Sequence, residues 1–221
     1  MKKIITITII IIIIISIFFI KINYKFLKTG NNMSNKSAEE IEKYILDISS
    51  YTAKMEVTIN SNKSTNKYIL DEEYIKDNNV FKRKIIEPEY LNGVSIIYDG
   101  TNLKLENSII NVSKMYENYP YIGEDTISLF SFIEDYKNSD ETNISSDEAN
   151  IILKTKVKNG NKYINQKKLF IDKKTGRPIK LEIEDITQKT VIYILYNEIK
   201  INNLQKEDIL AFKLKEISNN I

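Results

Sequence analysis

Apolar and polar positions follow three patterns along the chain, and the first is a nearly unbroken apolar run from Ile4 to Ile20. Only Thr6, Thr8 and Ser16 interrupt it, and their hydroxyls can hydrogen-bond to the preceding helical turn. Such a helix satisfies its backbone groups internally, as hydrocarbon requires. At about 1.5 Å per residue the run reaches roughly 26 Å, near the lower limit for crossing a bilayer. It therefore predicts a membrane-spanning helix.

The residues around this run favour an uncleaved signal-anchor over a cleaved secretory signal. A cleaved signal has an apolar region of about 7 to 15 residues and a cleavage site made of small residues. The stretch from Lys21 to Lys25 contains no small pair, and the chain has no cysteine for a lipoprotein signal. Lysines flank the run on both sides, so charge hardly decides the orientation, whereas the short N-terminal stub favours a cytoplasmic N terminus. We predict a single-pass protein of the cell membrane whose C-terminal domain is extracytoplasmic.

The rest of the chain divides into a tether and one domain. Residues 1–27 form the predicted anchor, and residues 28–36 are polar and aperiodic, as in a flexible tether. Residues 37–221 are enough for one domain with a sizeable core. Ser37 and Glu40 spell a capping box, and the apolar stripe that follows predicts a helix of about 12 residues.

The second pattern is strict alternation of apolar and polar residues, which begins between Tyr51 and Ile59 and predicts a half-buried strand. Similar stretches follow, separated by turn residues such as Asp99-Gly100. They predict about nine or ten antiparallel strands. The polar stretch of residues 137–148 is interpreted as a loop.

The third pattern is helical spacing from Thr126 to Tyr136, with Asp125 or Thr126 as the N-cap. We therefore expect an α+β fold, in which two or three helices cover a large curled antiparallel sheet that forms a half-open barrel.

Composition narrows the possible chemistry. The chain has 32 basic and 30 acidic residues, a net charge of +2, which implies no nucleic-acid partner. It contains neither cysteine nor histidine. This excludes disulfides, thiol catalysis, Ser-His nucleophile pairs and ordinary zinc or copper sites. We expect no cofactor and no metal site.

Neighbouring carboxylates are the one enzyme-like feature of the sequence. The pairs are Glu72 with Glu73, Glu117 with Asp125, and Glu184 with Asp185. A glycosidase uses two carboxylates, but a chain with 28% charged residues produces such pairs by chance. We interpret them as solvated surface.

Arg83 alternates with Phe81 and Ile85 on the third predicted strand. If it projects toward the apolar face, its guanidinium needs a buried partner. The interpretation we favour is an arginine at a strand edge whose stem covers apolar surface.

A group of apolar side chains on the strands and on the second helix could line a cavity for acyl chains. The same side chains could equally fill a core, and periodicity does not separate the two arrangements. The candidates are Tyr51, Met55, Val57, Tyr68, Leu70, Phe81, Ile85, Leu129, Phe130 and Ile133.

Two hairpin motifs carry a resemblance to a known family. The first is IYDGTNL at residues 97–103, which follows Phe81 and Pro88, and the second is LFID with TGRPI at residues 169–179. Together with the preceding helix and the YTAKMEV strand, they resemble the LolA/LolB lipoprotein-carrier superfamily over about residues 38 to 203. The resemblance implies a half-open barrel lidded by helices, with a cavity for a lipid or a lipoprotein acyl chain, and no catalytic residues.

Two departures qualify the resemblance. In the carriers an arginine before the aromatic residue of the third strand holds the lid closed, and its nearest counterpart here is Lys76. Lys76 and Arg83 are therefore the candidate polar contacts of the lid or the strands. The chain has no tryptophan. Its Ile-, Lys- and Asn-rich character is similar to that of the GerS-related germination lipoproteins of clostridia, although the lipobox cysteine is missing.

The function implied is that of a membrane-anchored binding protein for a lipid or a lipoprotein acyl chain, with a GerS-like role in spore germination as one form of it. A scaffold that binds a cell-envelope protein, such as a cell-wall-modifying enzyme, is the alternative. A carboxylate-dependent cell-wall hydrolase is less favoured, and a homodimer stays open.

Retention of the anchor is directly measurable. We expect the mature protein to keep residues 1–27 and to stay in the membrane fraction after washing with high salt, because an apolar spanning helix does not depend on screened ionic contacts. N-terminal sequencing and intact mass of the membrane-extracted protein measure this. A mature form that begins after Ile22 would contradict the anchor assignment.

Overall fold

The computed structural model describes residues 33–120, 126–205 and 209. The predicted anchor at Ile4–Ile20, most of the predicted tether and the candidate cap Asp125 lie outside the described residues. Within them, no helix combines the length and the apolar character needed to cross a membrane.

One antiparallel sheet of eleven strands forms the framework of the described chain. In chain order the strands are β1 (Ser50–Asn60), β2 (Thr65–Ile75), β3 (Val80–Glu87), β4 (Val94–Tyr98), β5 (Leu103–Asn107), β6 (Val112–Tyr116), β7 (Thr142–Ser146), β8 (Asn150–Lys156), β9 (Gln166–Asp172), β10 (Pro178–Glu184) and β11 (Thr190–Ile201). Their order in the sheet is β6-β5-β4-β3-β2-β1-β11-β10-β9-β8-β7. Two meanders are thus joined where β11 returns beside β1. The predicted large antiparallel sheet is confirmed.

β7 lies inside the stretch that was predicted to be a loop, and this part of the prediction is wrong. The strand is an edge strand with four exposed residues, and only Ile144 is half-buried, opposite Leu153 of β8. With one half-buried residue among five, the strand shows too little alternation to be predicted from its sequence.

Helix α1 (Ala38–Leu46) begins at the predicted capping box. The Ser37 hydroxyl accepts a hydrogen bond from the Glu40 amide at 3.2 Å, and the Glu40 carboxylate accepts one from the Ser37 amide at 2.9 Å. The helix has nine residues, fewer than predicted. It ends at Asp47 because the chain turns there to enter β1.

Helix α2 (Leu129–Asn138) begins later than the predicted Thr126. Its N-cap is Ser128, whose hydroxyl accepts a hydrogen bond from the Ser131 amide at 3.0 Å. Leu129, Phe132, Ile133 and Tyr136 of α2 are buried.

The two faces of the sheet differ in polarity, and the register explains why. Every second residue of β1 from Tyr51 to Val57 is buried beneath the helices. On the outer face, the register places Glu198, Lys54, Asp71 and Lys84 side by side across four strands. Opposite charges directly across two strands stabilise the pairing, and a slip of one residue would bury these charges.

The folded domain begins before the predicted boundary at Ser37. Met33 is buried, and its amide donates a hydrogen bond to the Lys174 carbonyl at 2.8 Å. A Cβ atom on Gly176, whose φ is +66°, would lie 2.8 Å from the Met33 side chain. The end of the N-terminal segment is therefore fixed to the turn between β9 and β10.

Packing of α2 onto the sheet should account for a large share of the stability. Phe132 is fully buried on α2, and we expect Phe132→Ala to lower the free energy of unfolding by about 3–5 kcal/mol, through lost burial and the cavity left behind. Tyr163→Ala is the control, since Tyr163 is an exposed aromatic residue whose loss should cost less than about 0.5 kcal/mol. Urea unfolding followed by circular dichroism measures both. Equal losses would contradict the packing described here.

Candidate functional site

The structure brings most of the predicted cavity-lining side chains together in one cluster beneath the helices. Tyr68 and Ile85 are half-buried and pack against its border. The other eight are at most 7% exposed: Tyr51, Met55, Val57, Leu70, Phe81, Leu129, Phe130 and Ile133. A cavity wide enough for an acyl chain would leave accessible surface on its walls, so these eight side chains form a filled core.

An aromatic row forms the floor beneath α2. The ring centroids of Tyr51 and Tyr74 are 5.9 Å apart, those of Tyr74 and Phe81 5.4 Å, and those of Phe81 and Tyr98 5.9 Å. Phe130 of α2 packs onto this row, with its ring 5.3 Å from Tyr51 and 4.9 Å from Tyr74. Offset and tilted contacts of this kind add to the stabilisation from burial.

A buried polar cluster, made of Tyr51, Glu72 and Arg83, lies beside the aromatic row. Glu72 and Arg83 are directly opposite each other on β2 and β3. Arg83 contacts one carboxylate oxygen of Glu72 through Nη2 at 2.5 Å and Nε at 2.6 Å. The Tyr51 hydroxyl donates a hydrogen bond to the other oxygen and accepts one from the Leu129 amide at 3.2 Å. The cluster therefore connects three strands to the first residue of α2.

Two sequence predictions are corrected by this cluster. Glu72 is 1% exposed, so it is not solvated surface, and Arg83 is 9% exposed, so it is not an arginine at a strand edge. The alternative in which Arg83 has a buried partner is correct. The sequence contained a signal for the burial of Glu72, because this residue lies at every second position of β2 together with the buried Leu70 and Tyr74.

A second contact, not predicted from the sequence, holds the middle of α2. Lys167 of β9 is 1% exposed, and its Nζ lies 2.5 Å from the Ser131 Oγ and 2.7 Å from the Asp135 Oδ2. The lysine therefore joins β9 to two successive turns of α2 through one ion pair and one hydrogen bond. The phase of Lys167 with Leu169 and Ile171 was the available signal.

A third contact joins α2 to α1. The Tyr136 hydroxyl donates a hydrogen bond to the Glu42 carboxylate at 2.5 Å. Burial, together with this carboxylate, raises the pKa of Tyr136 well above its usual range. The hydroxyl therefore stays protonated and keeps donating. With the other two contacts, it fixes α2 at its beginning, middle and end.

Lys76, the second candidate polar contact, lies just beyond β2 and is exposed. Desolvation lowers the pKa of its ammonium group, and the positive charge of Lys137 on α2 acts in the same direction. Glu134 and Asp47 oppose this shift. Lys76 is thus near the end of α2, whereas Arg83 belongs to the contact with its beginning.

Two of the three carboxylate pairs do not form a catalytic arrangement, and Asp125 of the third pair lies outside the described residues. Adjacent residues of a strand point to opposite faces, which separates the Glu72 and Glu73 side chains. Glu184 is buried and accepts hydrogen bonds from Lys168 and Gln166, whereas Asp185 accepts from its own turn. Within residues 33–120, 126–205 and 209, no group of three or more acidic side chains is arranged to hold a metal ion.

None of the ten predicted cavity residues lines any of three clefts on the described surface. One of about 400 Å³ lies on the charged outer face beside Lys54 and Asp71. Another, of about 690 Å³, lies beside Ser131 and Asp135. The third, of about 910 Å³, lies between Tyr44 and Tyr196. All three are lined by polar as well as apolar residues.

Exposed apolar side chains concentrate on the β5–β6 hairpin, at one edge of the sheet. Its loop carries Ile109 and Ile110, each 66% exposed. On β6, Val112 is 58% exposed, Met115 46% and Tyr116 36%. We call Val112–Tyr116 the β6 edge. The sequence predicts a strand over Ser108 to Tyr116, but not that every residue of β6 is exposed.

The sequence also matches a described family. Residues 2–210 fit the family model of the YdcC-like sporulation proteins. The chain belongs to this family. No curated protein matches the sequence of this YdcC-like protein.

Solved structures similar to this YdcC-like protein come from several bacteria. A chain in the structure of the CwlD amidase in complex with the GerS lipoprotein from Clostridioides difficile is 26% identical, with a TM-score of 0.42, and the match covers 76% of this chain and 92% of that chain. A putative outer membrane lipoprotein-sorting protein domain from Vibrio parahaemolyticus is 14% identical, with a TM-score of 0.42 and coverage of 81% and 100%. The LolA superfamily protein NE2245 from Nitrosomonas europaea is 12% identical, with a TM-score of 0.40 and coverage of 78% and 97%. The resemblance inferred from the sequence agrees with these findings.

The polar cluster of this YdcC-like protein can be tested by removing one charge. Arg83→Met leaves the Glu72 carboxylate buried without its counter-charge, and we expect a loss of about 3–5 kcal/mol in the free energy of unfolding. The control is Arg177→Met, since Arg177 is exposed and its loss should cost less than about 0.5 kcal/mol.

The double variant Glu72→Leu with Arg83→Met should recover part of the loss, since no unpaired charge then stays buried. Urea unfolding of the unaltered protein, the two single variants and the double variant measures these differences. An Arg83→Met variant as stable as Arg177→Met would contradict the role of the cluster.

Proposed function

We propose that this protein is an extracytoplasmic binding protein of spore-forming cells, anchored to the cell membrane by residues 1–27. It acts by holding a cell-envelope protein at its outer surface, and it catalyses no reaction. The filled core beneath α2 is the observation that carries this proposal.

Membership of a sporulation family supports a role in spore-forming cells. The apolar run Ile4–Ile20 supports the anchor, since its length and composition suit a bilayer. A domain without cysteine or histidine has few routes to catalysis.

The contacts of α2 favour binding at the surface over binding beneath the helix. An acyl chain could enter only if α2 moved away from the aromatic row. That movement would break the Tyr51–Leu129, Lys167–Asp135 and Tyr136–Glu42 contacts together. Burying a charge without its partner costs several kcal/mol, so a closed α2 is strongly preferred.

Lipid binding is the second candidate, and the border of the core favours it. Tyr68 and Ile85 are half-buried at the ends of β2 and β3, together with Ile59 of β1. An acyl chain placed there would cover apolar surface without displacing α2. In this second candidate the acyl chain would lie at the border of the core, on the part of the inner face that α2 does not cover.

Native mass spectrometry of the full-length protein released from detergent separates the two candidates. We expect the protein to carry no copurified lipid, because its core is already filled. Phe130→Ala is the positive control, since removal of a buried ring leaves an apolar cavity that takes up small apolar molecules. A stoichiometric lipid on the unaltered protein would contradict surface binding and support the carrier function.

Deletion of the gene in the source bacterium tests the process independently. We expect fewer spores that germinate, and restoration by the full chain. Restoration should fail with residues 28–221 exported without the anchor, because the domain then leaves its membrane. Normal spore formation and germination in the deletion strain would contradict the proposed process.

A further inference from the structure

The two edges of the sheet are built differently. Natural edge strands usually carry polar or charged residues that discourage pairing with other chains. The β7 edge follows this rule, since its sequence is TNISS. The β6 edge has the sequence VSKMY and is exposed at every position, with Lys114 as its single charge. In the described part of the chain, no strand lies beyond β6.

In the described part of the chain, the face that carries the core continues past the helices to this edge. The register places Tyr116 opposite Leu103, and Lys114 opposite Leu105. Leu103 in turn lies opposite Tyr98, the last ring of the aromatic row. The inner face therefore continues from the filled core to Tyr116, which is 36% exposed and whose ring centroid is 6.2 Å from that of Tyr119.

We propose that the β6 edge accepts an extended segment of a partner protein as an additional antiparallel strand. The segment carries a carboxylate opposite Lys114, with an apolar side chain two residues before it and another two residues after it. This inference rests on the proposed function, and it states how the partner protein is recognised.

Backbone and side chains supply the two parts of this recognition. An edge strand offers unpaired N–H and C=O groups that bind any extended chain, whereas alternate side chains provide the specificity. Val112, Lys114 and Tyr116 share one face of β6. Opposite charges directly across two strands stabilise the pair, as do apolar and aromatic pairs. The complementary pattern is therefore apolar, acidic, apolar.

A second copy of this chain suits the edge less well. Antiparallel self-pairing that uses all five residues of β6 would place Lys114 opposite Lys114, and like charges at that position are destabilising. Shifted registers avoid this repulsion but leave part of β6 unpaired. The Lys114 ammonium lies over the Tyr116 ring, 4.9 Å from its centroid. A carboxylate from another protein can approach it there.

Selection of peptides on the full-length protein tests the proposal. The probe is a displayed library of random 12-residue peptides, and the enriched sequences are synthesised and measured by fluorescence anisotropy. We expect them to contain the apolar, acidic, apolar pattern at alternate positions. Replacing the carboxylate by lysine should weaken binding at least tenfold, and the Lys114→Glu variant should reverse this preference.

Two control variants keep the result interpretable. Lys63→Glu, in the exposed turn between β1 and β2, changes the net charge equally and should leave the preference unchanged. Val112→Lys should weaken binding of every selected peptide, while circular dichroism confirms that this exposed substitution leaves the fold intact.

Failure takes three forms. If no peptide is enriched, or if Lys114→Glu and Lys63→Glu behave alike, the edge does not recognise an acidic strand. A dimer in analytical ultracentrifugation that Val112→Lys abolishes would assign the edge to a second copy and overturn the proposal. None of these outcomes changes the germination and native mass spectrometry results expected from the proposed function. Failure of the edge and failure of the proposed function are therefore distinguishable.

Discussion

The ion pair between Glu72 and Arg83 is the interaction on which the rest of the structure depends. It lies directly across β2 and β3, next to the aromatic row, and each charge would be costly there without the other. Their pairing fixes the register of two central strands and orients the Tyr51 hydroxyl toward α2. The same pair therefore aligns the sheet and positions the helix that covers it.

Most of the sheet was predictable because its strands are half-buried. Alternation from Tyr51 to Ile59 marks the inner face, and polar turns mark the hairpins. The missed strand, β7, lacks that signal, since only Ile144 of its five residues is half-buried. The cap of α2 was also misplaced, because several residues before Leu129 could cap a helix and only the backbone conformation selects Ser128.

The sequence predicted which apolar side chains share the inner face, but not whether they enclose a cavity. The ten cavity candidates were chosen because they share the inner face, and the structure groups them. Whether such a face is hollow or filled depends on the depth to which α2 sits. That depth is set by Lys167 and Tyr136, polar residues that an apolar pattern passes over. The burial of Glu72 and Arg83 was missed for the same reason: both are charged, although both occupy inner-face positions of their strands.

A filled core and an exposed apolar edge are the two features on which the proposal of binding at the outer surface rests. Amide hydrogen exchange of the full-length protein tests this most directly, since local opening of α2 and global unfolding differ in free energy when a lid opens alone. If α2 is fixed by its three contacts, the amides of Leu129–Asn138 should be as strongly protected as those of β1 and β2. Rapid exchange of α2 beside a protected β1 would show a lid that opens, and it would contradict the closed interior.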